Sequence, residues 1–173
     1  MARAHDLPTQ EDWEGATLRD ILLTAAAPFR KAVSADTAPK NELDRIEVAG
    51  ALIQVGPEAA VTLAMAIHEL ATNASKYGAL SLPNGQVTVS WVILPDRSAV
   101  DLVWTEVGGP LLDGPPPAEL HGFGFGFGFG FGLRLLERGL ARQLGGTIHV
   151  DFAPSGLLCR MRLPLKKGCI APR

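Results

Sequence analysis

The sequence has little cysteine, no long apolar run and no excess of charge of one sign. Its two cysteines, Cys159 and Cys169, have no CxxC spacing and no nearby histidine partner, which argues against a zinc site. No segment approaches the roughly 18 apolar residues of a membrane span, and Met1 to Asp6 do not resemble a signal peptide. Sixteen basic and 18 acidic side chains leave no basic surface for nucleic acid or anionic lipid. We therefore expect a cytoplasmic protein without a nucleic-acid partner or direct membrane contact, in which Cys159 is a small buried side chain.

A single folded domain is expected, because 173 residues with 47% hydrophobic and 20% charged side chains are typical of one globule. Apolar spacing predicts helices over 17–29, from Pro57 to Gly78, and over 133–144. Short strands are predicted at 45–48 and 52–55 around a turn at Gly50, and hairpins at 86–94 with 99–104 and 147–152 with 157–163. Strands paired in hairpins beside three helices predict an α+β fold. This would be a two-layer α/β sandwich with helices on one face of a mixed, mostly antiparallel sheet.

The most informative stretch is residues 68–78, which places polar side chains on an otherwise apolar helix. Glu69, Asn73 and Lys76 follow i, i+4, i+7 spacing and therefore share one face. A carboxylate, a carboxamide and an ammonium on one face suit a magnesium-bound triphosphate. From this helix alone, a solvated polar face explains the same residues equally well.

A second segment, residues 104–110, ends a predicted strand in a carboxylate followed by Gly108 and Gly109. Glycines after a strand permit close approach of the backbone to a ligand, and Glu106 is able to accept a hydrogen bond from an exocyclic amine. The simpler alternative is a strand-terminating turn with a glutamate at the surface.

A third segment begins at His121 and continues with five Gly-Phe pairs over 122–131, just before a predicted helix. A glycine-rich loop that leads into a helix offers backbone N–H groups and the positive end of the helix dipole to a phosphate. The alternative is a low-complexity insertion without a ligand. Both interpretations hold if the last Gly-Phe-Gly binds phosphate and the other pairs are an expansion of it.

Together, in this order, the three segments resemble the HWE sensor histidine kinases. That family is named for a histidine in its N box and a Trp-x-Glu pair in its G1 box, which are His68, Trp104 and Glu106 here. HELATNASKYGAL resembles the N box, WTEVGGP the G1 box, GFGLRLLERGLARQLGG the G2 box with its helix, and FAPSGLLCRMRLPL the terminal hairpin. The resemblance covers roughly residues 1 to 165.

The resemblance implies the Bergerat ATP-binding fold that DNA gyrase B, Hsp90 and MutL share. It implies that Asn73 binds Mg²⁺, that Glu69 is the catalytic base or polariser, and that Glu106 reads the adenine amino group. Where relatives carry a single Gly-Phe-Gly, proximity to the helix favours the last repeat of this chain as the functional one. The resemblance assigns the remaining nucleotide-binding positions to His68, Lys76, Tyr77, Gly108, Gly109, Gly130, Phe131, Gly132 and Leu133.

The resemblance also divides the chain into segments. Residues 1–15 would be the end of a dimerisation helix with its linker, 16–165 the catalytic domain with a lid loop at 108–132, and 166–173 a C-terminal tail. The family's phosphoacceptor histidine precedes an Arg and a nearby Asn on a long helix, and this motif is missing from the sequence. His5 is therefore not expected to be the acceptor.

The implied function is that of a kinase in a two-component system, with ATP and Mg²⁺ as cofactors. The chain would transfer the γ-phosphoryl group to a histidine on a dimerisation and phosphoacceptor domain, with a response regulator receiver domain as the next partner. The alternative is a regulatory or scaffolding module that holds ATP without transfer. Glu69 favours the kinase, because a purely binding site has no use for a base. The G1 box and the short chain disfavour an ATPase of the gyrase type.

Overall fold

The structure is a computed structural model, and it describes residues 16–30, 45–111, 138–166 and 169–172. His5 and the Gly-Phe run lie outside the described residues, as do most of the predicted lid loop and the candidates Gly130, Phe131, Gly132 and Leu133. Along the chain the elements are β1 (Ala16–Thr17), α1 (Leu18–Ala26), β2 (Ile46–Gly50), β3 (Ile53–Val55), α2 (Pro57–Lys76), β4 (Gln86–Ile93), β5 (Ala99–Val107), β6 (Thr147–Ala153), β7 (Gly156–Pro164) and β8 (Ile170–Pro172).

The main sheet has five strands in the order β2-β4-β5-β7-β6. β2 runs parallel to β4, and the other neighbours are antiparallel. Alternate residues of β4 are buried and exposed, so Val87, Val89 and Trp91 point into the core. α2 buries Leu63 and Ile67 in the same hydrophobic cluster. The expected fold, helices packed on one face of a mixed and mostly antiparallel sheet, is confirmed.

The two predicted hairpins are confirmed as β4 with β5 and β6 with β7. The strands around Gly50 do not form a third hairpin, because β3 belongs to a separate sheet of order β1-β3-β8. The indole of Trp91 covers Gly50, where a Cβ would collide with the ring, and Trp91 Nε1 donates to the Ala51 carbonyl at 2.8 Å. These contacts hold the chain where it leaves one sheet for the other.

The helices begin and end close to the predicted residues. α2 starts with Pro57 in its first turn and stops at Lys76, just before Gly78. α1 ends at Ala26, earlier than predicted, because Pro28 has no N–H for a further α-helical bond, and residues 27–29 form a 3₁₀ turn instead. Of the helix predicted over 133–144, the described residues 138–144 are helical and end in a π-helical turn. No helix within the described ranges is long and apolar enough to span a bilayer.

The C-terminal residues contribute to the fold. β8 lies in the segment that the sequence assigns to a tail, and it pairs antiparallel with β3. Ile170 is fully buried, and the Gly56 N–H at the start of α2 donates to the Cys169 carbonyl at 2.6 Å. The strand that leads into α2 is therefore held between β1 and β8.

The two cysteines should differ strongly in reactivity. Cys159 is fully buried, as expected, and Cys169 is half-buried. Burial, reinforced by the charge of Glu106, raises the pKa of Cys159 to about 12, so only about 10⁻⁴ of it is thiolate at pH 8. We expect iodoacetamide to label Cys169 first and Cys159 only after unfolding, as read by mass spectrometry of the two peptides. Equal labelling rates in the native protein would contradict this burial.

Candidate functional site

Glu106 is a buried carboxylate near the end of β5. The residue is 4% exposed, so it is not the surface glutamate of a simple turn. Trp104 Nε1 donates to Glu106 Oε1 at 3.0 Å, and the Ala79 N–H donates to Oε2 at 2.9 Å. Because residues i and i+2 of a strand point to the same face, Trp104 lies beside the carboxylate that it binds. The two bonds fix the plane of the carboxylate.

Burial governs the charge of this group. It raises the pKa of Glu106 above the ordinary value of 4.5, while the N–H groups of Ala79 and Trp104 oppose the rise. An ionised carboxylate has about four acceptor positions. Two protein donors therefore leave Glu106 able to accept a further hydrogen bond from a ligand.

The polar residues of α2 lie at its C-terminal half. Asn73 is buried, Glu69 is half-buried one turn earlier, and Lys76 and Tyr77 at the helix end are exposed. Glu69 and Asn73 are about 6 Å apart along the helix axis. Burial of Asn73 shows that this face is not simply solvated.

The end of α2 meets the end of β5 through three glycines. A Cβ at Gly78 would collide with Glu106 Oε2, and one at Gly85 would collide with the Ala79 carbonyl. A Cβ at Gly109 would lie 2.8 Å from the Ala79 nitrogen. The sequence predicts that the G1 glycines allow close approach of a ligand, but the atoms that approach Gly109 belong to Ala79.

Gly108 has a different constraint, because its φ of 72° lies in the left-handed region that favours glycine. The chain turns away from β5 at this residue. Together with Gly109, it places the end of the strand against the segment that follows α2.

His68 lies on another side of α2. It is exposed, and its ring contacts Phe29 edge-on, with centroids 5.3 Å apart and planes at 63°. One residue step around an α-helix is about 100°, so His68 does not share the face of Glu69. The structure thus brings Glu106 to the end of α2 and pairs His68 with Phe29.

Arg45, which the sequence analysis did not single out, has the largest set of hydrogen bonds near Glu106. It lies just before β2, and its guanidinium donates to backbone carbonyls of the segment between α2 and β4. The acceptors are the carbonyls of Ala79 at 3.3 Å, Leu80 at 3.3 Å, Gly85 at 2.9 and 3.0 Å, and Leu82. Backbone carbonyls leave no mark in the sequence, so no signal could have identified this contact.

The described ranges offer few side chains that could together bind a metal ion. They contain no cluster of three or more His, Cys, Asp or Glu side chains. The Asn73 amide and the Glu69 carboxylate offer two hard oxygen donors on one helix face. Such a pair suits a cation whose remaining ligands are water and phosphate, as Mg²⁺ prefers.

The chain is similar over most of its length to curated proteins of one kind. It is 35% identical over 167 residues to a blue-light-activated histidine kinase of Brucella ovis, a match that covers 95% of this chain and 30% of that protein. The same protein from Brucella canis matches equally well. The chain therefore spans about 30% of the length of the curated relatives it matches. No protein-family model matches it.

Solved structures show the same likeness. The mycobacterial sensor histidine kinase MprB is 25% identical with a TM-score of 0.58, and the match covers 86% of this chain and 95% of that one. The ATP binding domain of PrrB from Mycobacterium tuberculosis is 20% identical with a TM-score of 0.53, covering 87% and 96%. The second likeness supports the fold alone.

Proposed function

We propose that this chain, a homologue of histidine kinases with the fold of a histidine kinase catalytic domain, binds Mg-ATP. It would transfer the γ-phosphoryl group to a histidine on a dimerisation and phosphoacceptor domain. The observation that carries this proposal is the buried Glu106 carboxylate, which two donors hold at the end of α2. The same helix carries Glu69 and Asn73.

Glu106 recognises adenine in this proposal. Its carboxylate is fixed in orientation and retains acceptor capacity, which suits the exocyclic amine of adenine. Guanine presents a carbonyl at the corresponding ring position, so two acceptors would face each other. An unpaired buried polar group costs about 1 to 3 kcal/mol. The site therefore prefers ATP to GTP.

Asn73 and Lys76 bind the magnesium-triphosphate part of the nucleotide in this proposal. Asn73 would hold Mg²⁺ through its side-chain oxygen, and the ion would neutralise phosphate charge when bound. Lys76 ends α2 and is exposed, and its ammonium would pair with a phosphate oxygen. The hard oxygen of Asn73 fits this role.

Glu69 distinguishes transfer from simple binding. Its half-buried carboxylate lies one turn before Asn73, on the same face of α2. We assign it to the acceptor imidazole, whose N–H proton it polarises or accepts as the N–P bond forms. The bond between the γ-phosphorus and the β,γ-bridging oxygen of ATP breaks in the same step, and ADP leaves with that oxygen.

The wider assignment follows from this activity. We propose that the chain belongs to the HWE group, which the resemblance at His68, Trp104 and Glu106 supports. In a two-component system the phosphohistidine next passes its phosphoryl group to a response regulator receiver domain. We propose the cytoplasm as the compartment, since ATP and receiver domains are both found there.

Calorimetry with ATP, with and without Mg²⁺, tests the proposal. We expect magnesium-dependent binding that Asn73→Ala removes, because the substitution deletes the proposed metal ligand. Asn84→Ala, at an exposed asparagine of the following turn, should bind as wild type does. A second chain with the Gly-Phe run shortened to one Gly-Phe-Gly controls for the repeat. No heat and no thermal shift in either chain would contradict the proposal.

A further inference from the structure

We propose that Arg45 is a positioning residue for nucleotide recognition. Its guanidinium holds segment 79–85 so that the Ala79 N–H stays aimed at Glu106. The proposal rests on the assignment of Glu106 as the group that reads adenine. It adds a residue that touches neither the nucleotide nor Glu106 and that sets the specificity of the site through the loop between α2 and β4.

Arg45 is anchored to the sheet on one side and to this loop on the other. The Val87 N–H donates to the Arg45 carbonyl at 2.9 Å, and Val87 lies opposite Glu106 in the register of β4 and β5. From this fixed backbone, the guanidinium reaches the carbonyls of Ala79 and Gly85, at the two ends of the loop. Arg45 thus ties the loop to the strand that neighbours Glu106.

Ala79 is held from both directions. Its N–H donates to Glu106 Oε2 at 2.9 Å, and its carbonyl accepts from Arg45 at 3.3 Å. Gly85 and Gly109 press against the same backbone without leaving room for a Cβ. A shift of this backbone would therefore change the angle of the bond to Glu106.

Arginine is the side chain that suits this task. A guanidinium has five N–H donors in a rigid plane, whereas a lysine ammonium has three donors on a flexible stem. Four carbonyls spread along a loop need the wider group. Lysine at position 45 would keep the charge and satisfy only part of the set.

Arg45 acts on nucleotide recognition by positioning the backbone of Ala79, not by its own charge. The groups that lower the pKa of Glu106 are the N–H groups of Ala79 and Trp104. Arg45 is not one of them. Loss of Arg45 should therefore shift the backbone of Ala79 and reduce the preference of the site for adenine over guanine.

The test compares Arg45→Lys and Arg45→Met with Arg19→Met as a matched control. Arg19 donates to one carbonyl, that of Val48 at 2.9 Å, and forms no hydrogen bond to the loop within the described residues. Affinities for Mg-ATP and Mg-GTP are measured in each variant. Hydrogen exchange of the Ala79 amide is measured by NMR in the nucleotide-free chain.

We expect both Arg45 variants to lower the ratio of ATP to GTP affinity about tenfold, the equivalent of one hydrogen bond to a charged group. The Ala79 amide should exchange faster in both, and Arg19→Met should match wild type. An unchanged ratio, or an equal loss of both nucleotides, overturns the proposal. If Arg45→Met does not fold, Arg45→Lys decides. A wild-type chain without adenine preference would refute the role of Glu106. In that case, faster exchange of the Ala79 amide in the Arg45 variants would still support the positioning role of Arg45, and unchanged exchange would refute it.

Discussion

We expect Glu69→Gln to lower phosphoryl transfer by about 10² to 10⁴ while ATP binding stays near wild type. Glutamine keeps the size of the side chain and its place on α2 but cannot accept the imidazole proton. Among the described residues, the half-buried Glu69 carboxylate has no hydrogen-bond or ion-pair partner whose loss would disturb the fold. The assay supplies a separate dimerisation domain that carries the acceptor histidine and follows the labelled γ-phosphoryl group.

Glu58→Gln is the matched control for this prediction. Glu58 is an exposed glutamate in the first turn of the same helix, far along α2 from Asn73. The Glu58→Gln variant should transfer the phosphoryl group at the wild-type rate. Equal rates for wild type and Glu69→Gln would remove the base assignment and favour a module that only binds nucleotide.

The second large effect is expected for Glu106→Gln, which should weaken ATP binding about 10- to 100-fold and leave GTP binding little changed. The carboxylate accepts from both Ala79 and Trp104, whereas an amide has one oxygen and one NH₂ group. One donor would then face the NH₂ group, and a hydrogen bond to a charged group, about 1.5 to 3 kcal/mol, would be lost. Calorimetry with both nucleotides measures the ratio.

The raised pKa of Glu106 adds a pH dependence to this prediction. Between 4.5 and the raised value, the folded chain binds more protons at this group than the unfolded chain does. Protonation of Glu106 therefore stabilises the folded chain as pH falls through that window. The protonated carboxyl, however, is a weaker acceptor for the hydrogen bond from the adenine amine. ATP affinity of wild type should fall as pH falls through that window. Glu106→Gln should lack this component, and parallel profiles for the two proteins would contradict the role of Glu106.

Local patterns were sufficient to predict most elements of the fold. The helix from Pro57 and the two hairpins follow from apolar spacing and turn residues, which act over short stretches of chain. The partner of β2 could not be predicted in this way. Its parallel pairing with β4 depends on residues 41 positions away, including the Trp91 ring over Gly50.

The site was predictable to the extent that its side chains carry the chemistry. Glu106 was identified by its place at the end of a strand, and its bond from Trp104 follows from i, i+2 spacing on one face. The donor from Ala79 and the loop contacts of Arg45 involve backbone atoms, whose partners depend on how the chain folds. Sequence patterns therefore predicted Glu106 as a candidate acceptor but gave no sign of the backbone groups that hold it.

The glycines around Ala79 bear on how this site would change during evolution. Gly78, Gly85 and Gly109 lack side chains because Glu106 and the backbone of Ala79 occupy the space. The pressure to keep them comes from the packed protein and would persist in a descendant that had lost ATP binding. We therefore expect degenerate relatives to retain these three glycines after Glu69 and Asn73 have drifted. In such lineages the three glycines would indicate a shared fold, and only the polar side chains would indicate whether the activity is retained.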